Sequence, residues 1–264
     1  MITLHTAADV QAWSLRHRRE GFRIGFVPTM GYLHEGHLSL IRLARAHADR
    51  VVVSVFVNKT QFGEGEDFAS YPRDFERDRE RCRRERVDLV FAPSDREIYA
   101  GNASTVIREE NLSRGLCGRH RPGHFSGVTT IVGKLFNLVG PDVAVFGRKD
   151  AQQLAVIRRM VRDLHFPVEI MAGPIVREED GLALSSRNAR LGTEERKQAV
   201  CLVKALRAAE ALYSSGETAA AALAARMREV IASYPLARLQ YAEVVDWDSL
   251  APVKDVVGDT LLAL

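Results

Sequence analysis

The sequence predicts an α/β protein with a doubly wound, Rossmann-like parallel sheet and a second, smaller α+β domain. At least five short apolar runs, separated by segments of helical periodicity, precede residue 173. One run, residues 51–57, has Ser54 as its only polar residue, as expected for a strand covered on both faces. Polar residues follow several of these runs, at the strand ends where open α/β sheets bind ligands.

Length and composition bound the remaining possibilities. The 264 residues are 46% hydrophobic and 27% charged, which suits one large and one small globular domain. We place the boundary at Gly173 and Pro174, giving domains of residues 1–173 and 174–264. A net charge of +3 is too small to indicate nucleic-acid binding. Three cysteines without C-x-x-C spacing, and no signal-like or membrane-length apolar run, favour the reducing cytoplasm.

The predicted elements alternate in a regular order. Thr6 is a suitable N-cap for a first helix that ends before Gly21. Strands are predicted over residues 24–27, 51–57, 88–91, 143–147, 168–171 and 239–246, and from residue 259. Helices are predicted over residues 7–19, 37–48, 73–86 and 126–139, after Asp150 as N-cap, over residues 193–213 with Thr193 as cap, and over residues 218–232.

The helix predicted over residues 73–86 has an unusual charge pattern, with seven Arg against five Asp or Glu. Opposite charges recur three or four residues apart, in the pairs Asp74–Arg77, Glu76–Arg79, Asp78–Arg81 and Glu80–Arg84. We therefore expect a solvated helix with weak ion pairs, each contributing a few tenths of a kcal/mol. A nucleic-acid-binding patch is the alternative interpretation.

Residues 25–43 form the most informative segment, because a strand, a turn with Gly31 and Gly36, and a helix follow one another there. Main-chain N–H groups and the positive end of the helix dipole make such a turn an anion site. His34 and His37 lie three residues apart, so a helical backbone places both imidazoles on one side, and Glu35 is the only acidic residue nearby. The turn lacks the zinc-protease, G-x-G-x-x-G and P-loop patterns. A metal half-site and two packed histidines remain alternatives.

Further polar residues follow other strands and enter two loops. Asn58 and Gln61 follow the second predicted strand, and Lys149 and Gln153 follow the strand over residues 143–147. Arg121 and His124 lie in a basic loop before an apolar helix. A polar loop beyond residue 174 is centred on Ser185, Ser186 and Arg187. Main-chain donors, imidazoles, cations and hydroxyls without an acid–base carboxylate pair predict an ATP site.

These segments resemble the pantothenate synthetase (pantoate–β-alanine ligase) family of the nucleotidylyl transferase superfamily. The matching motifs are P-T-M-G-x-L-H-x-G-H at residues 28–37, R-P-G-H-F-x-G-V at 121–128 and F-G-x-K-D-x-Q-Q at 146–153. Two positions depart from the family pattern: Lys59 replaces a proline, and Ala151 replaces a common aromatic residue. Since family members usually continue with a further basic segment, the resemblance predicts more chain after Leu264.

The resemblance implies a reaction in which the pantoate carboxylate attacks ATP, pyrophosphate leaves, and β-alanine displaces AMP to form pantothenate. It implies an ATP- and pantoate-binding first domain, a second domain that acts as a lid, Mg²⁺ and a homodimer. His34 and His37 would stabilise the transferring phosphoryl group, His37 as proton donor, together with Lys149 and Arg187. The implied ATP-binding residues are Met30, Gly31, Tyr32, Leu33, His34, Glu35, Gly36, His37, Gly147, Arg148, Lys149, Asp150, Val176, Leu184, Ser185, Ser186 and Arg187. Those implied for pantoate and β-alanine are Asn58, Gln61, Arg121, His124 and Gln153. A nucleotidylyl transferase that leaves AMP on its product is the alternative activity.

Overall fold

A six-stranded parallel sheet organises the first of two structural units. The structure, a computed structural model, describes all of residues 1–264. The first unit comprises Met1–Glu109 and Arg121–Val176, and the second comprises Glu110–His120 and Arg177–Leu264. The division along the chain therefore falls after Val176, and a short upstream segment belongs to the second unit.

The sheet confirms the doubly wound fold. Its strands are β1 (Ile2–Leu4), β2 (Ile24–Thr29), β3 (Arg50–Val55), β4 (Leu89–Phe91), β5 (Val143–Gly147) and β6 (Glu169–Gly173). They lie in the order β1-β4-β3-β2-β5-β6, and all neighbouring pairs are parallel. Strand β1 was not predicted, because three edge residues are too few to show a period.

Helices occupy nearly all of the predicted positions. They are α1 (Ala7–Arg19), α2 (Glu35–His47), α3 (Phe75–Arg84), α4 (Asp95–Ile98), α5 (Leu116–His120, in the second unit), α6 (His124–Val139) and α7 (Ala151–Asp163). Thr6 caps α1 as predicted, because its Oγ1 accepts the Asp9 N–H at 3.2 Å. Asp150 holds the N-cap position of α7 as predicted, but its side chain makes no capping hydrogen bond, and its carboxylate accepts from Lys149 Nζ at 3.3 Å.

The packing of the sheet explains its parallel form. Val51, Val52 and Val53 in β3 are fully buried, so both faces of the sheet are covered. Helix α2 packs closely on β2 at Gly25, where an added Cβ would lie 2.9 Å from Cβ of Ala48. Glycine at that position therefore allows the close packing of α2 on β2.

The strand order creates a topological switch point between β2 and β5. From β2 the chain proceeds outward through β3 and β4, whereas β5 and β6 lie on the other side. Ligands of open α/β sheets bind beyond the carboxyl ends of strands at such a point. The residues after β2, which include both histidines, and those after β5, which include Lys149, lie at this end of the sheet.

The second unit combines helices with a two-stranded antiparallel sheet. Its further elements are α8 (Thr193–Gln198), α9 (Cys201–Ser214), α10 (Ala220–Ala232), β7 (Glu243–Asp246) and β8 (Thr260–Ala263). The single helix predicted over residues 193–213 is wrong, since the chain turns at Ala199 and Val200, where Val200 packs with Leu182 and Val203. Gly192, not Thr193, is the N-cap of α8, and its N–H donates to Glu195 Oε2 at 2.8 Å. No helix in the structure is both long and apolar enough to cross a membrane.

Candidate active site

The turn between β2 and α2 has a backbone that few residues could adopt. We call residues 30–37 the signature turn. Gly31 has φ of +81° and Tyr32 has φ of 50°, so two successive residues are left-handed. An added Cβ at Gly31 would lie 2.9 Å from Oδ2 of Asp78. Glycine is therefore required both by the backbone and by the close approach of α3.

Asp78 holds the signature turn from behind, and sequence reasoning missed this role. Its carboxylate accepts the N–H groups of Tyr32 and Leu33, each at 2.7 Å. The side chain is 1% exposed, and burial raises the pKa of Asp78 while the two N–H donors oppose that shift. The predicted Asp78–Arg81 ion pair is thus wrong, and Glu35 is not the only carboxylate beside the turn. Asp78 lies on the apolar side of the helix together with Cys82, and this position is the sequence feature that could have indicated its role.

Other residues of α3 complete this contact. Arg81 lies three residues after Asp78, on the same face, and donates to the Leu33 carbonyl at 2.7 Å. The Arg77 guanidinium lies 4.6 Å from the centre of the Tyr32 ring. On the exposed side, Glu76 pairs with Arg79 at 2.6 Å, and Glu80 pairs with Arg84 at 3.0 Å, as predicted. One face of α3 is therefore solvated, and the other supports the turn.

The two histidine rings lie in close, tilted contact at the start of α2. Their ring centroids are 4.0 Å apart with an interplanar angle of 38°. His34 is the N-cap, and its main-chain N–H donates to Nδ1 of His37 at 3.2 Å. The Nδ1 atom of His34 is buried and has no hydrogen-bond partner in the protein. Because Nδ1 of His37 accepts a hydrogen bond, a neutral His37 carries its proton on Nε2.

Electrostatics keep both imidazoles neutral near pH 7. Burial lowers the pKa of His37 to about 3, and the adjacent His34 contributes. Burial also lowers the pKa of His34 to about 4, assisted by the positive charge of Lys149. A neutral His37 has an Nε2–H that can donate a hydrogen bond to negative charge, and its role as proton donor stays a prediction.

The segment after β5 contains Gly147, Arg148, Lys149 and Asp150. The last three form an exposed 3₁₀ turn, so Lys149 and Asp150 reach solvent. The charges of Lys149 and Asp150 act on both histidines in opposite directions. Gln153, in the first turn of α7, is half-buried. The structure thus brings Lys149 into the electrostatic environment of the histidine pair.

Gln61 ends the 3₁₀ turn of residues 59–61 and is held by several neighbours. Its side chain contacts Asn58, whose Nδ2 donates to Oε1 of Gln61 at 3.1 Å, and Met30, whose Sδ lies 3.0 Å from Nε2 of Gln61. Asn58 is only 1% exposed. Asn58 therefore supports Gln61 in this structure, and Gln61 links to the signature turn through Met30.

Arg121 and His124 also contact the backbone of Gln61. His124 Nδ1 lies 2.7 Å from the Gln61 carbonyl, and Arg121 donates to the same oxygen at 3.3 Å. Arg121 also pairs with Glu66, which lowers the pKa of that carboxyl. The predicted basic loop therefore fixes the 3₁₀ turn around Gln61, a positioning role that sequence motifs did not reveal.

The remaining predicted ATP residues of the first unit differ in burial and in their contacts. Leu33 is fully buried, and the carbonyl of Gly36 accepts a hydrogen bond from Ser39 at 2.8 Å. Glu35 is exposed and pairs with Arg42. Val176 is half-buried at the end of this unit. No group of three or more His, Cys, Asp or Glu side chains is arranged to hold a metal ion.

The second unit contains the other predicted phosphate ligands. We call residues 184–188 the serine-arginine loop. Ser185 Oγ accepts the Arg187 N–H at 3.3 Å, Ser186 is buried, and Arg187 is exposed. Leu184 and Ser185 are half-buried. Asn188 anchors the loop, because its Nδ2 donates to the Ala183 carbonyl and to Glu178, each at 3.1 Å.

The fold and the first-unit geometry define a doubly wound α/β protein with a His-x-Gly-His turn at the start of helix α2. The sequence profile of the pantoate-beta-alanine ligase family matches residues 2–264, and the chain belongs to that family. It is 54% identical over 264 residues to pantothenate synthetase from Heliobacterium modesticaldum, covering 100% of this chain and 94% of the relative. The enzyme of the same name from Moorella thermoacetica is 52% identical and is covered to 93%.

Solved structures agree with this assignment. Pantothenate synthetase from Thermus thermophilus superimposes with a TM-score of 0.94 at 47% identity, covering 98% of this chain and 92% of that one. Pantoate-beta-alanine ligase from Francisella tularensis, complexed with beta-gamma ATP and beta-alanine, gives a TM-score of 0.81 at 30% identity. That match covers 99% of this chain and 97% of the other.

Proposed function

We propose that the ligation of pantoate with β-alanine, the activity of this family, proceeds on this chain through a pantoyl adenylate. A pantoate carboxylate oxygen forms a bond to the α-phosphorus of ATP, and the bond to the bridging oxygen breaks to release pyrophosphate. The β-alanine amine then forms a C–N bond at the acyl carbon and displaces AMP. The observation that supports this function best is the close histidine pair, with pKa values lowered by burial, at the switch point of the sheet.

The residues have distinct roles in this proposal. His37 donates its Nε2–H to charge that develops on the transferring phosphoryl group, and His34 offers a second imidazole there. Lys149 supplies a fixed positive charge beside them. Gln61 and Gln153 hydrogen-bond pantoate, with Asn58, Arg121 and His124 holding Gln61. Serine hydroxyls and a guanidinium are good phosphate partners, so we assign Ser185, Ser186 and Arg187 to the nucleotide, with the second domain as lid.

We also propose that Mg²⁺ binds together with ATP. Proteins bind Mg²⁺ mainly through one or two carboxylates and the substrate's phosphates. Asp150, exposed and beside Lys149, suits one such carboxylate, whereas Asp78 is occupied by main-chain donors. The ion would neutralise phosphate charge. The homodimer and the cytoplasmic location rest on family resemblance and cysteine usage, and the three free cysteines, Cys82, Cys117 and Cys201, suit a reducing compartment.

The central test measures pyrophosphate and AMP with each substrate omitted in turn. Pantoyl adenylate formation requires pyrophosphate release with ATP and pantoate alone, in an amount close to one equivalent per active site. Free AMP should then appear only when β-alanine is added. AMP retained on the final product would support a nucleotidylyl transferase, and pyrophosphate release that needs all three substrates would exclude the two-step route.

A further inference from the structure

A buried hydrogen-bond network fixes the direction of the Asn58 amide. The carbonyl of Gly127 only accepts hydrogen bonds, and it lies 3.1 Å from Nδ2 of Asn58. The Asn58 amide must therefore turn its nitrogen toward Gly127 and toward Gln61. Its Oδ1 faces two hydroxyls, that of Tyr99 at 2.8 Å and that of Thr60 at 3.0 Å.

The close approach of α6 makes this arrangement rigid. An added Cβ at Gly127 would lie 2.4 Å from the carbonyl oxygen of Thr60 and 2.6 Å from the Gln61 nitrogen. Backbone thus packs directly on backbone, and the network has no space for a rearranged turn. Asn58 is 1% exposed and Gln61 is 8% exposed, so broken hydrogen bonds could not readily be replaced by water.

The direction of Asn58 sets the direction of Gln61. Because Nδ2 of Asn58 donates to Oε1 of Gln61, the Gln61 oxygen is directed toward Asn58 and already accepts one hydrogen bond. Its Nε2 faces only Met30 Sδ, at 3.0 Å, and a thioether is a weak acceptor. The Gln61 nitrogen therefore has a weaker protein partner than the Gln61 oxygen, and a carboxylate or hydroxyl oxygen of a substrate is a stronger acceptor for its N–H groups than the thioether.

We propose that Tyr99 is a positioning residue for pantoate: its hydroxyl acts through Asn58 to orient the Gln61 amide, so that Gln61 donates N–H groups to a pantoate oxygen. This inference rests on the proposed role of Gln61 in the ligation. Tyr99 follows α4, far in sequence from the turn it supports, and no motif singled it out. Its hydroxyl lies 3.1 Å from that of Thr60, and both hydroxyls donate to Oδ1 of Asn58. Burial raises the pKa of Tyr99, which keeps the hydroxyl protonated near neutral pH.

The test is a Tyr99→Phe substitution, with KM for pantoate and for ATP measured by pyrophosphate release. We expect KM for pantoate to rise about tenfold, as the loss of one buried hydrogen bond implies, with KM for ATP changed less than about twofold. Tyr213→Phe is the matched control, because this exposed tyrosine loses the same atom outside the network. Equal changes in both KM values, or no change in either, would overturn the proposal.

A double-mutant cycle with Gln61→Ala tests whether Tyr99 acts through Gln61. In the Gln61→Ala background, adding Tyr99→Phe should change KM for pantoate less than about twofold. A full tenfold effect there would show that Tyr99 acts by another route. If Tyr99→Phe fails to fold, Thr60→Val removes the second hydroxyl from an exposed position and should give a smaller rise with the same selectivity. Wild-type enzyme without pantoate-dependent pyrophosphate release would refute the proposed function itself, which is a separate outcome.

Discussion

The signature turn, which leads into α2, and the serine-arginine loop, which leads into a 3₁₀ turn at Ser186–Arg190, both contact carboxylates, but these carboxylates differ in burial. Asp78 is 1% exposed and accepts two main-chain N–H groups of the turn. Behind the loop, Glu178 and Asp180 accept from the guanidinium of Arg196, each at 2.7 Å, with side chains 32% and 44% exposed. The turn is supported by buried hydrogen bonds to its backbone, whereas Glu178, which Asn188 of the loop contacts, is held by a partly solvated ion pair.

The difference in burial predicts a difference in rigidity. A buried main-chain N–H that loses its partner costs about 1–3 kcal/mol, whereas an exposed ion pair contributes roughly 0–1 kcal/mol. Opening the turn therefore requires breaking costly bonds, whereas loss of the ion pairs behind the loop costs little. This difference fits the proposed roles, in which the turn keeps the histidines aligned and the loop changes position to bind the phosphates of ATP.

The largest expected effect is that of Asp78→Asn. The new amide could accept only one of the two N–H groups and would present N–H groups of its own to the other. We expect the free energy of unfolding to fall by roughly 1–3 kcal/mol in urea denaturation, and pantoyl adenylate formation to fall roughly 10³-fold as both histidines move. Glu76→Gln, on the exposed face of the same helix, is the control. Wild-type activity in Asp78→Asn would show that the turn does not depend on this carboxylate.

Two substitutions at His37 separate capping from catalysis. Asn places an oxygen near the position of Nδ1, so it retains an acceptor for the His34 N–H but has no atom equivalent to Nε2. We expect His37→Asn to keep wild-type thermal stability and to lose about 10²-fold in pyrophosphate release, because one charge-stabilising donor is absent. His37→Ala should lower both the thermal stability and the rate of pyrophosphate release. Near-wild-type release by His37→Asn would remove His37 from the reaction.

The sequence predicted the order of strands and helices, since buried β-branched runs such as residues 51–57 and glycine-bearing turns have strong local patterns. It also located the histidines, Gln61 and Lys149, because each follows the carboxyl end of a strand. It did not predict what supports them. Asp78 sits within a charged helix where every acidic residue has a basic neighbour at helical spacing, and only the packed fold shows that this one faces inward. Tyr99 is 41 residues from Asn58, too far for any local rule.

Arg196→Gln tests whether the serine-arginine loop is supported independently of the signature turn. The substitution removes both ion pairs to Glu178 and Asp180, yet global stability should change by less than about 1 kcal/mol because the groups are partly solvated. Amide hydrogen exchange should quicken in the serine-arginine loop, at residues 184–188, and remain unchanged in the signature turn. KM for ATP should rise severalfold. Lys197→Gln, at an exposed pair with Glu194, is the control. Exchange that quickens in the turn as well would contradict independent support of the two segments.

The smallest expected effect is on the pH dependence of folding stability, which should differ between the two segments. The folded pKa values of His34 and His37 are about 4 and about 3, below the ordinary 6.5, so the unfolded chain binds more protons between those limits and stability falls as pH drops below 6.5. Arg196 lowers the pKa of Asp180, so the stability from that pair is present above 3.8 and is lost only at lower pH. Between about pH 6.5 and 4.5 His34 and His37 should respond, together with His124, whose pKa burial also lowers, whereas the Asp180 pair should not. A His34→Gln/His37→Asn variant should therefore show a shallower decline of Tm across this range than the wild type, whereas Arg196→Gln should show the wild-type slope. Equal slopes in the wild type and the histidine variant would mean that the imidazoles are not held neutral by the fold.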